Sequence, residues 1–224
     1  MQPDRALVTG FVPYGGRGRN PAAEIAQALD GRTISGMPVV GRVLPVSYAA
    51  IGRAVDGLLE EIDPRVVISL GLWPGETAIR IERVGLNLAD FEIPDNVGRL
   101  ASDEPIVGNG ATALYASLPI RKIEQALLDA GIPARISNSA GTFLCNACLY
   151  SFLNAAAARA TRAICGFIHV PYLPEQVAGL LKDLKTEARL EAHQRGDLAS
   201  MDLATSTRAI ELALGTAIAE IGRR

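Results

Sequence analysis

The segment RVVISLGLW, residues 65–73, constrains the fold most, because it is nearly all apolar over the length of one strand. A strand without a polar face belongs in the interior of a sheet that other elements cover on both sides. The runs RALVTGF at 5–11 and AICGFIHVPYLP at 163–174 have the same character. These three segments predict a largely parallel sheet with helices on both faces.

Helical patterns separate the predicted strands along the chain. Asn20 and Pro21 are typical of a helix start, as an N-cap followed by a proline in the first turn. The predicted helices are 21–29, 47–62, 119–130, 145–160 and 202–221, and the further strands are 37–46 and 134–139. Strands that alternate with helices over 224 residues predict one α/β domain, 1–224. Its architecture is expected to be a three-layer α/β/α sandwich around a mostly parallel twisted sheet.

Two segments are predicted to be less regular. AIRIERVGLNL, residues 78–88, alternates apolar and charged side chains, which favours an exposed or edge strand. Residues 89–117 are polar and rich in Gly, Pro and Asp, and they form the longest irregular stretch of the chain. A loop of that length is more often functional than a plain connection.

Composition excludes several classes of partner. The net charge is −2 and no Lys/Arg cluster is present, which argues against nucleic acid. No apolar run is long enough to span a bilayer, so no membrane partner is expected. The N-terminal segment lacks a signal-peptide pattern, and three cysteines would all stay free in a reducing compartment. The protein is therefore expected in the cytoplasm.

Three chemically distinctive residues fall where α/β folds place their sites, beyond the carboxyl ends of strands. His169 ends the strand in 163–174, Cys145 follows the strand at 134–139, and Glu82 lies within the alternating segment. A thiol, an imidazole and a carboxylate are the parts of a cysteine protease triad. A helix that begins at Cys145 would lower the thiol pKa, and its free N–H groups would hold an oxyanion.

Each of these residues also has a structural interpretation that the sequence leaves open. Cys145 beside apolar neighbours has the character of a small buried hydrophobic residue. His169 between Ile168 and Val170 fits a hydrogen-bonded core histidine, and Glu82 beside an arginine fits a solvated strand charge. The only other histidine, His193, lies in a charged helical run that is predicted to face solvent. A histidine base, if present, is therefore His169.

The pair Cys145 and Cys148 raises two rival chemistries. A metal site would need two further ligands, and only Cys165 and His169 are available, so no metal is expected. A thioredoxin-like motif would follow the first strand, where this chain has none. Residues three apart share a helix face, so Cys148, like Cys165, is interpreted as a packing residue, although a disulfide that silences Cys145 stays open. The run YGGRGRN at 14–20 lacks the Lys-Ser/Thr of a phosphate-binding loop.

Four blocks of sequence resemble, in order, those of the pyroglutamyl peptidase type I family, the pyrrolidone-carboxylate peptidases. They are LVTGFVPYGGRGRNP, GLWPGETAIRIERVGLN, SNSAGTFLCN and GFIHVPYLPEQ, and the likeness resumes at SMDLATSTRAIELAL. The resemblance implies an omega-type cysteine peptidase with Cys145 as nucleophile, His169 as base and Glu82 as orienting carboxylate. It also implies peptides with an N-terminal pyroglutamate as substrates, no metal or organic cofactor, and a homo-oligomer, either a dimer or a tetramer.

The resemblance further implies a pocket that holds the lactam ring between aromatic side chains. The residues expected in or beside this pocket are Phe11, Tyr14, Asn20, Leu72, Phe143 and Leu144. A five-membered lactam is neutral and flat, which suits an apolar slot with a few hydrogen-bonding groups.

Several residues depart from the family pattern inside these blocks. Glu92 stands where the family typically has an arginine that supports the oxyanion, and Glu76 stands where arginine is usual. Arg80 replaces a serine or threonine, Leu72 replaces a glutamine, and Tyr14 replaces a phenylalanine. The change at Glu92 matters most, because a carboxylate opposes a developing oxyanion and the loss of one donor costs about 10²–10³ in rate.

We hypothesise that another residue compensates for the positive charge that is missing at Glu92. Arg80 and Glu82 lie two residues apart in a strand and therefore point to the same face. Arg80 is expected to reach the site, pair with Glu92 and supply the missing positive charge. Two alternatives stay open: a triad hydrolase whose acyl specificity is altered by Glu92, Glu76 and Leu72, or a catalytically weak homologue that binds peptides.

Overall fold

The computed structural model describes residues 4–159, 163–187 and 198–222, which contain nine strands and six helices. The strands are β1 (Ala6–Phe11), β2 (Thr33–Ile34), β3 (Met37–Leu44), β4 (Val66–Leu72), β5 (Ile79–Glu82), β6 (Val84–Leu86), β7 (Ala113–Tyr115), β8 (Ala134–Ser137) and β9 (Ile164–Val170). The helices are α1 (Pro21–Leu29), α2 (Tyr48–Ile62), α3 (Ile120–Asp129), α4 (Leu144–Ala158), α5 (Pro174–Glu187) and α6 (Leu203–Ile221). The predicted position of His193 falls outside these ranges.

Seven strands form one sheet in the order β2-β3-β1-β4-β9-β5-β8. The four central neighbours β3, β1, β4 and β9 run parallel to one another. β5 is antiparallel to β9 and carries β8 parallel to itself, while β2 is antiparallel to β3. The prediction of a mostly parallel α/β fold is confirmed.

The two faces of this sheet pack against different helices, as the two-residue period of a strand requires. Ala6 and Val8 lie in one apolar core together with residues of α1, α3 and α6. Leu7 and Val67 face the opposite way, into a second core with residues of α2 and α4. All seven residues of β4 are buried, which explains why the segment has no polar face.

The expectation that 78–88 is an exposed or edge strand is wrong for Ile79–Glu82, whereas Val84–Leu86 is an edge strand of a separate two-stranded sheet. This segment divides at Arg83 into β5 and β6, and β5 lies inside the sheet between β9 and β8. Ile79 and Ile81 are fully buried on one face, and Glu82 is fully buried on the other. The alternation arose because the second face is a buried polar layer, where Arg80 and Glu82 form an ion pair.

The irregular stretch is shorter than predicted. Its last part forms β7, which pairs with β6 in a separate two-stranded sheet. Within the loop, the carboxylate of Asp95 accepts hydrogen bonds from the backbone N–H groups of Tyr48, Val97 and Arg99. Asp95 thereby caps the start of α2, where Ser47 makes no side-chain cap. No helix in the described ranges is long and apolar enough to cross a bilayer.

Candidate active site

The three predicted catalytic residues come from elements that meet on one face of the sheet. On β9, Cys165 and Phe167 pack in the α2/α4 core, so His169 faces the same way. On β5, Ile81 faces the opposite core, so Glu82 also points toward α4. Cys145 is the second residue of α4. The strand periodicity therefore brings the imidazole and the carboxylate beneath the start of this helix.

Glu82 and His169 form a buried hydrogen-bonded pair. Nδ1 of His169 lies 2.9 Å from Oε1 of Glu82, and the two side chains are 1% and 0% exposed. A carboxylate only accepts hydrogen bonds, so Nδ1 carries the proton and Nε2 is the nitrogen left to act as a base. Burial lowers the pKa of His169, and the hydrogen bond to Glu82 opposes this effect without overcoming it.

The sulfur of Cys145 occupies a space that a glycine leaves open in the sheet. A Cβ at Gly71 would lie 2.7 Å from Sγ of Cys145 and 2.9 Å from the ring of Phe167. Gly71 is also the register partner of His169 between β4 and β9. Cys145 and His169 both line one cavity of about 320 Å³. The thiol and the imidazole therefore open on a common space.

The position of Cys145 at a helix start is confirmed, but the expected lowering of its pKa is wrong for the resting thiol. Burial raises the pKa of Cys145 above its ordinary value, and the neighbouring Cys148 and Glu82 add to this effect. The field of the helix N-terminus does not outweigh the loss of solvation. A thiolate at Cys145 would therefore need a nearby proton acceptor, and His169 lines the same cavity.

Arg80 reaches the site, but not through the predicted partner. Its Nε lies 2.8 Å from Oε1 of Glu82, and its Nη1 lies 3.6 Å from Oε2 of Glu76. Within the described ranges these two carboxylates are its ion-pair partners, so the expected pairing with Glu92 is wrong. Glu92 is exposed and lines the cavity that Cys145 and His169 share. Because β5 directs Arg80 inward, its guanidinium contacts the Glu82 carboxylate, which also contacts the imidazole of His169.

The cavity wall contains predicted and unpredicted residues. Tyr14, Leu72, Phe143 and Glu92 were singled out in the sequence, and all four line the cavity. The lining residues that sequence reasoning missed are Arg17, Trp73, Pro74, Asp90, Ile93, Ala140, Gly141 and Thr142. Trp73 and Pro74 directly follow the carboxyl end of β4, so the rule that placed His169 at a strand end also predicts them.

Three residues expected in the pocket lie behind the lining. Phe11 and Leu144 are 2% and 1% exposed and belong to the α2/α4 core. Asn20 is the N-cap of α1, where Oδ1 accepts from the N–H of Ala22 and Nδ2 donates to the carbonyl of Val12. Phe11 and Leu144 support the wall through packing, and Asn20 does so by holding the N-terminal segment to α1.

The hydroxyl that Tyr14 adds to the pocket has a partner. It donates to the carbonyl oxygen of Leu72 at 3.3 Å, and the ring lies 5.9 Å from that of Phe143 between centroids. The guanidinium of Arg17 stands over the same ring at 5.1 Å. Burial raises the pKa of Tyr14, so its hydroxyl stays protonated. Tyr14 therefore contributes a neutral aromatic wall.

The other two cysteines are packing residues in the interior. Cys148 and Cys165 are fully buried, and Sγ of Cys148 lies 3.6 Å from the hydroxyl of Ser69. All three thiols are free. In the part of the chain that the structure describes, no three His, Cys, Asp or Glu side chains group so that they could hold a metal ion.

The chain is similar in sequence and in structure to proteins of one known family. A sequence profile described as pyroglutamyl peptidase matches residues 4–220. A pyrrolidone-carboxylate peptidase of Pyrococcus furiosus is 49% identical over 173 residues, which cover 77% of this chain and 83% of the relative. One from Escherichia fergusonii is 38% identical over 212 residues, covering 95% and 92%. The solved pyrrolidone carboxyl peptidase of Thermococcus litoralis superposes with a TM-score of 0.90 at 39% identity, covering 98% of this chain and 96% of that chain.

Proposed function

The chain belongs to the pyroglutamyl peptidase family, and from this membership we propose that it removes an N-terminal pyroglutamyl residue from peptides with Cys145, His169 and Glu82 as its catalytic triad. The observation that carries the residue assignment is the buried 2.9 Å contact between Glu82 and Nδ1 of His169, in a cavity that Cys145 also lines. The Glu82 carboxylate would keep the proton of His169 on Nδ1, which leaves Nε2 free to act as a base.

The reaction begins with transfer of the Cys145 proton to Nε2 of His169. The thiolate attacks the carbonyl carbon of the pyroglutamyl residue, and the oxyanion that forms is stabilised by the backbone N–H of Cys145. This N–H belongs to the first turn of α4 and has no acceptor four residues earlier in the helix. His169 then donates its proton to the leaving amine, which releases the peptide and leaves a thioester on Cys145. Water activated by His169 hydrolyses the thioester and restores the thiol.

The cavity wall supports the choice of a lactam as the acyl group. Tyr14 and Phe143 present aromatic surface, and Leu72 and Ile93 add aliphatic surface. Phe91 packs edge-on against Phe143 at 4.8 Å between centroids and fixes its orientation. A flat neutral ring gains more from such a wall than a charged amino terminus does, because a charge loses its hydration there.

A matched pair of cysteine variants tests the function. The protein should release a fluorophore from a pyroglutamyl amide, and Cys145→Ala should lower kcat/KM by at least about 10³-fold. Cys148→Ala makes the same change one turn further along α4, at a thiol buried outside the cavity lining, and is expected to retain most of the activity. Equal losses in the two variants, or full activity of Cys145→Ala, would remove Cys145 from the mechanism.

We further propose that residues 1–224 act as one domain that assembles into a homo-oligomer, a dimer or a tetramer, in the cytoplasm. Free thiols at Cys145, Cys148 and Cys165 suit a reducing compartment. Light scattering coupled to gel filtration measures the assembly, and a mass of one chain at micromolar concentration would contradict it.

A further inference from the structure

Arg80 lies directly opposite His169 in the sheet. The two residues are register partners between β5 and β9, and both side chains face α4. Opposed residues on neighbouring antiparallel strands have side chains in close range. Glu82 is two residues further along β5 and receives both Nε of Arg80 and Nδ1 of His169 on the same oxygen, Oε1. One carboxylate oxygen thus connects the guanidinium to the imidazole.

The guanidinium is fixed on several sides. Nη2 donates to the carbonyl of Ser139 at 2.7 Å, and Nη1 faces Glu76 at 3.6 Å. The plane of Arg80 lies over the ring of Trp73 at 3.8 Å, and that ring meets the imidazole of His169 edge-on at 5.0 Å. The Arg80 side chain is only 12% exposed. An arginine held by so many contacts has little freedom to leave the carboxylate.

Arg80 and Glu76 are therefore in contact with each other. The Glu76 carboxylate anchors Arg80 from one side and is bonded from the other by Arg135, at 2.5 Å. Arg80 thus lies between two carboxylates and places its positive charge next to Glu82.

We propose that Arg80 is a positioning residue for the reaction: it holds Glu82 against His169 and sets the charge around the imidazole. The groups that face His169 are Arg80 and Glu82 from β5, Cys145 from α4 and Glu76 from the loop after β4. Without Arg80, the imidazolium would face two carboxylates and no cation. With Arg80 opposite, its protonation is opposed by a like charge, and His169 keeps its basic form at lower pH.

Direct titration of His169 tests this role. The chain has two histidines, so a His193→Asn background leaves one imidazole to follow by ¹⁵N NMR. Arg80→Gln removes the charge, and the midpoint of the His169 titration should rise by about one pH unit. Arg80→Lys keeps the charge without the planar fork, and its midpoint should stay close to that of the parent. Arg80→Met replaces the first variant if that one does not fold.

Arg135→Gln is the matched control, because it removes a half-exposed cation that bonds Glu76 on its outer side. Its titration midpoint should equal that of the parent. An unchanged midpoint in Arg80→Gln, or the same rise in Arg135→Gln, would overturn the proposal.

Kinetics supply the second readout. Among the described residues, Arg80 is not one that lines the catalytic cavity, so Arg80→Gln should leave KM unchanged. With the Glu82–His169 bond kept but less precisely oriented, kcat should fall by about ten- to 100-fold. The acid limb of kcat/KM should move to higher pH together with the NMR midpoint. An increase in KM with unchanged kcat would contradict a positioning role.

The inference rests on the proposed function, but the two fail separately. If Cys145→Ala kept full activity, the proposed mechanism would be lost. The NMR titration would still decide whether Arg80 controls His169.

Discussion

At the scale of single residues, the site depends on Gly71, because this residue has no side chain. Gly71 lies in the interior of the sheet, where any Cβ would meet the sulfur of Cys145 and the ring of Phe167 at less than 3.0 Å. No shift of one flexible side chain relieves both contacts, since Phe167 is fully buried. The position therefore requires glycine for reasons of space.

Gly71→Ala should remove most activity at a moderate cost in stability. The added methyl group pushes Sγ of Cys145 away from His169, and a displacement of about 1 Å lowers the rate by about 100-fold. Overpacking of this kind costs about 1–3 kcal/mol of the free energy of unfolding. Pyroglutamyl amide hydrolysis and thermal unfolding measure the two effects. Full activity with a raised melting temperature would show that the sulfur lies elsewhere.

The pKa values of Cys145 and His169 predict the pH profile. Burial raises the first and lowers the second, so the resting pair is a neutral thiol and a neutral imidazole. The proposed mechanism requires neutral His169, and because its pKa is lowered, the imidazole becomes protonated only below pH 6.5. The acid limb of kcat/KM should therefore lie below pH 6.5, with a plateau that extends past pH 9. An acid limb above pH 6.5 would indicate a raised histidine pKa and contradict the burial argument.

At the scale of secondary structure, Asn146 joins the start of α4 to the end of β6 and the residues that follow it by hydrogen bonds. Oδ1 of Asn146 accepts from the N–H of Leu86, and Nδ2 donates to the carbonyls of Leu86 and Leu88, all at 2.8–2.9 Å. Asn146 is fully buried and directly follows Cys145. These bonds place the start of the helix relative to the strands that carry the other catalytic groups.

Asn146→Leu should release this attachment. It removes the side-chain partner of three partly buried backbone groups, and we expect a loss of about 2–3 kcal/mol in the free energy of unfolding. The rate should fall as well, because the start of α4 loses its anchor. Asn154→Leu, two turns along the same helix at a half-buried position, is the control. Chemical denaturation and the fluorophore assay on both variants measure the difference, and equal stability of the two would contradict the role of Asn146.

At the scale of the whole molecule, the α2/α4 core buries two of the three thiols completely. Cys148 and Cys165 are fully buried, while Cys145 is partly exposed to the catalytic cavity. Burial also raises the pKa of both buried thiols to about 12, so they are protonated near neutral pH. Their reaction with an alkylating reagent therefore requires this core to open.

Alkylation by iodoacetamide should reach only Cys145 in the folded protein. Mass spectrometry after brief treatment near neutral pH should find one modified thiol, and the same treatment in denaturant should find three. Cys145→Ala should then give none under folding conditions. Rapid modification of Cys148 in the folded protein would show that the α2/α4 core is less closed than the structure describes.

Much of the fold follows from local patterns. The apolar segment at 65–73 had to become an interior strand, because each of its side chains needed cover. Asn20 and Pro21 specify the start of α1 through bonds that form within a few residues. The blocks around Cys145 and His169 also identified the family, since each motif is contiguous in sequence.

The relative placement of the catalytic groups was decided by tertiary structure. Residues 78–88 alone do not reveal that β5 lies between β9 and β8 and runs antiparallel to β9. This arrangement sets Arg80 opposite His169 and brings Glu82 within reach of Nδ1 of His169. The same charges on an edge strand would face water, as the alternation suggested. The register of β5 against β9 arises from contacts between segments more than 80 residues apart, such as Glu82 with His169. The local sequence pattern predicts which side chains share a face of a strand. Only packing across the sheet determines whether that face contacts solvent, a helix or another strand's side chains.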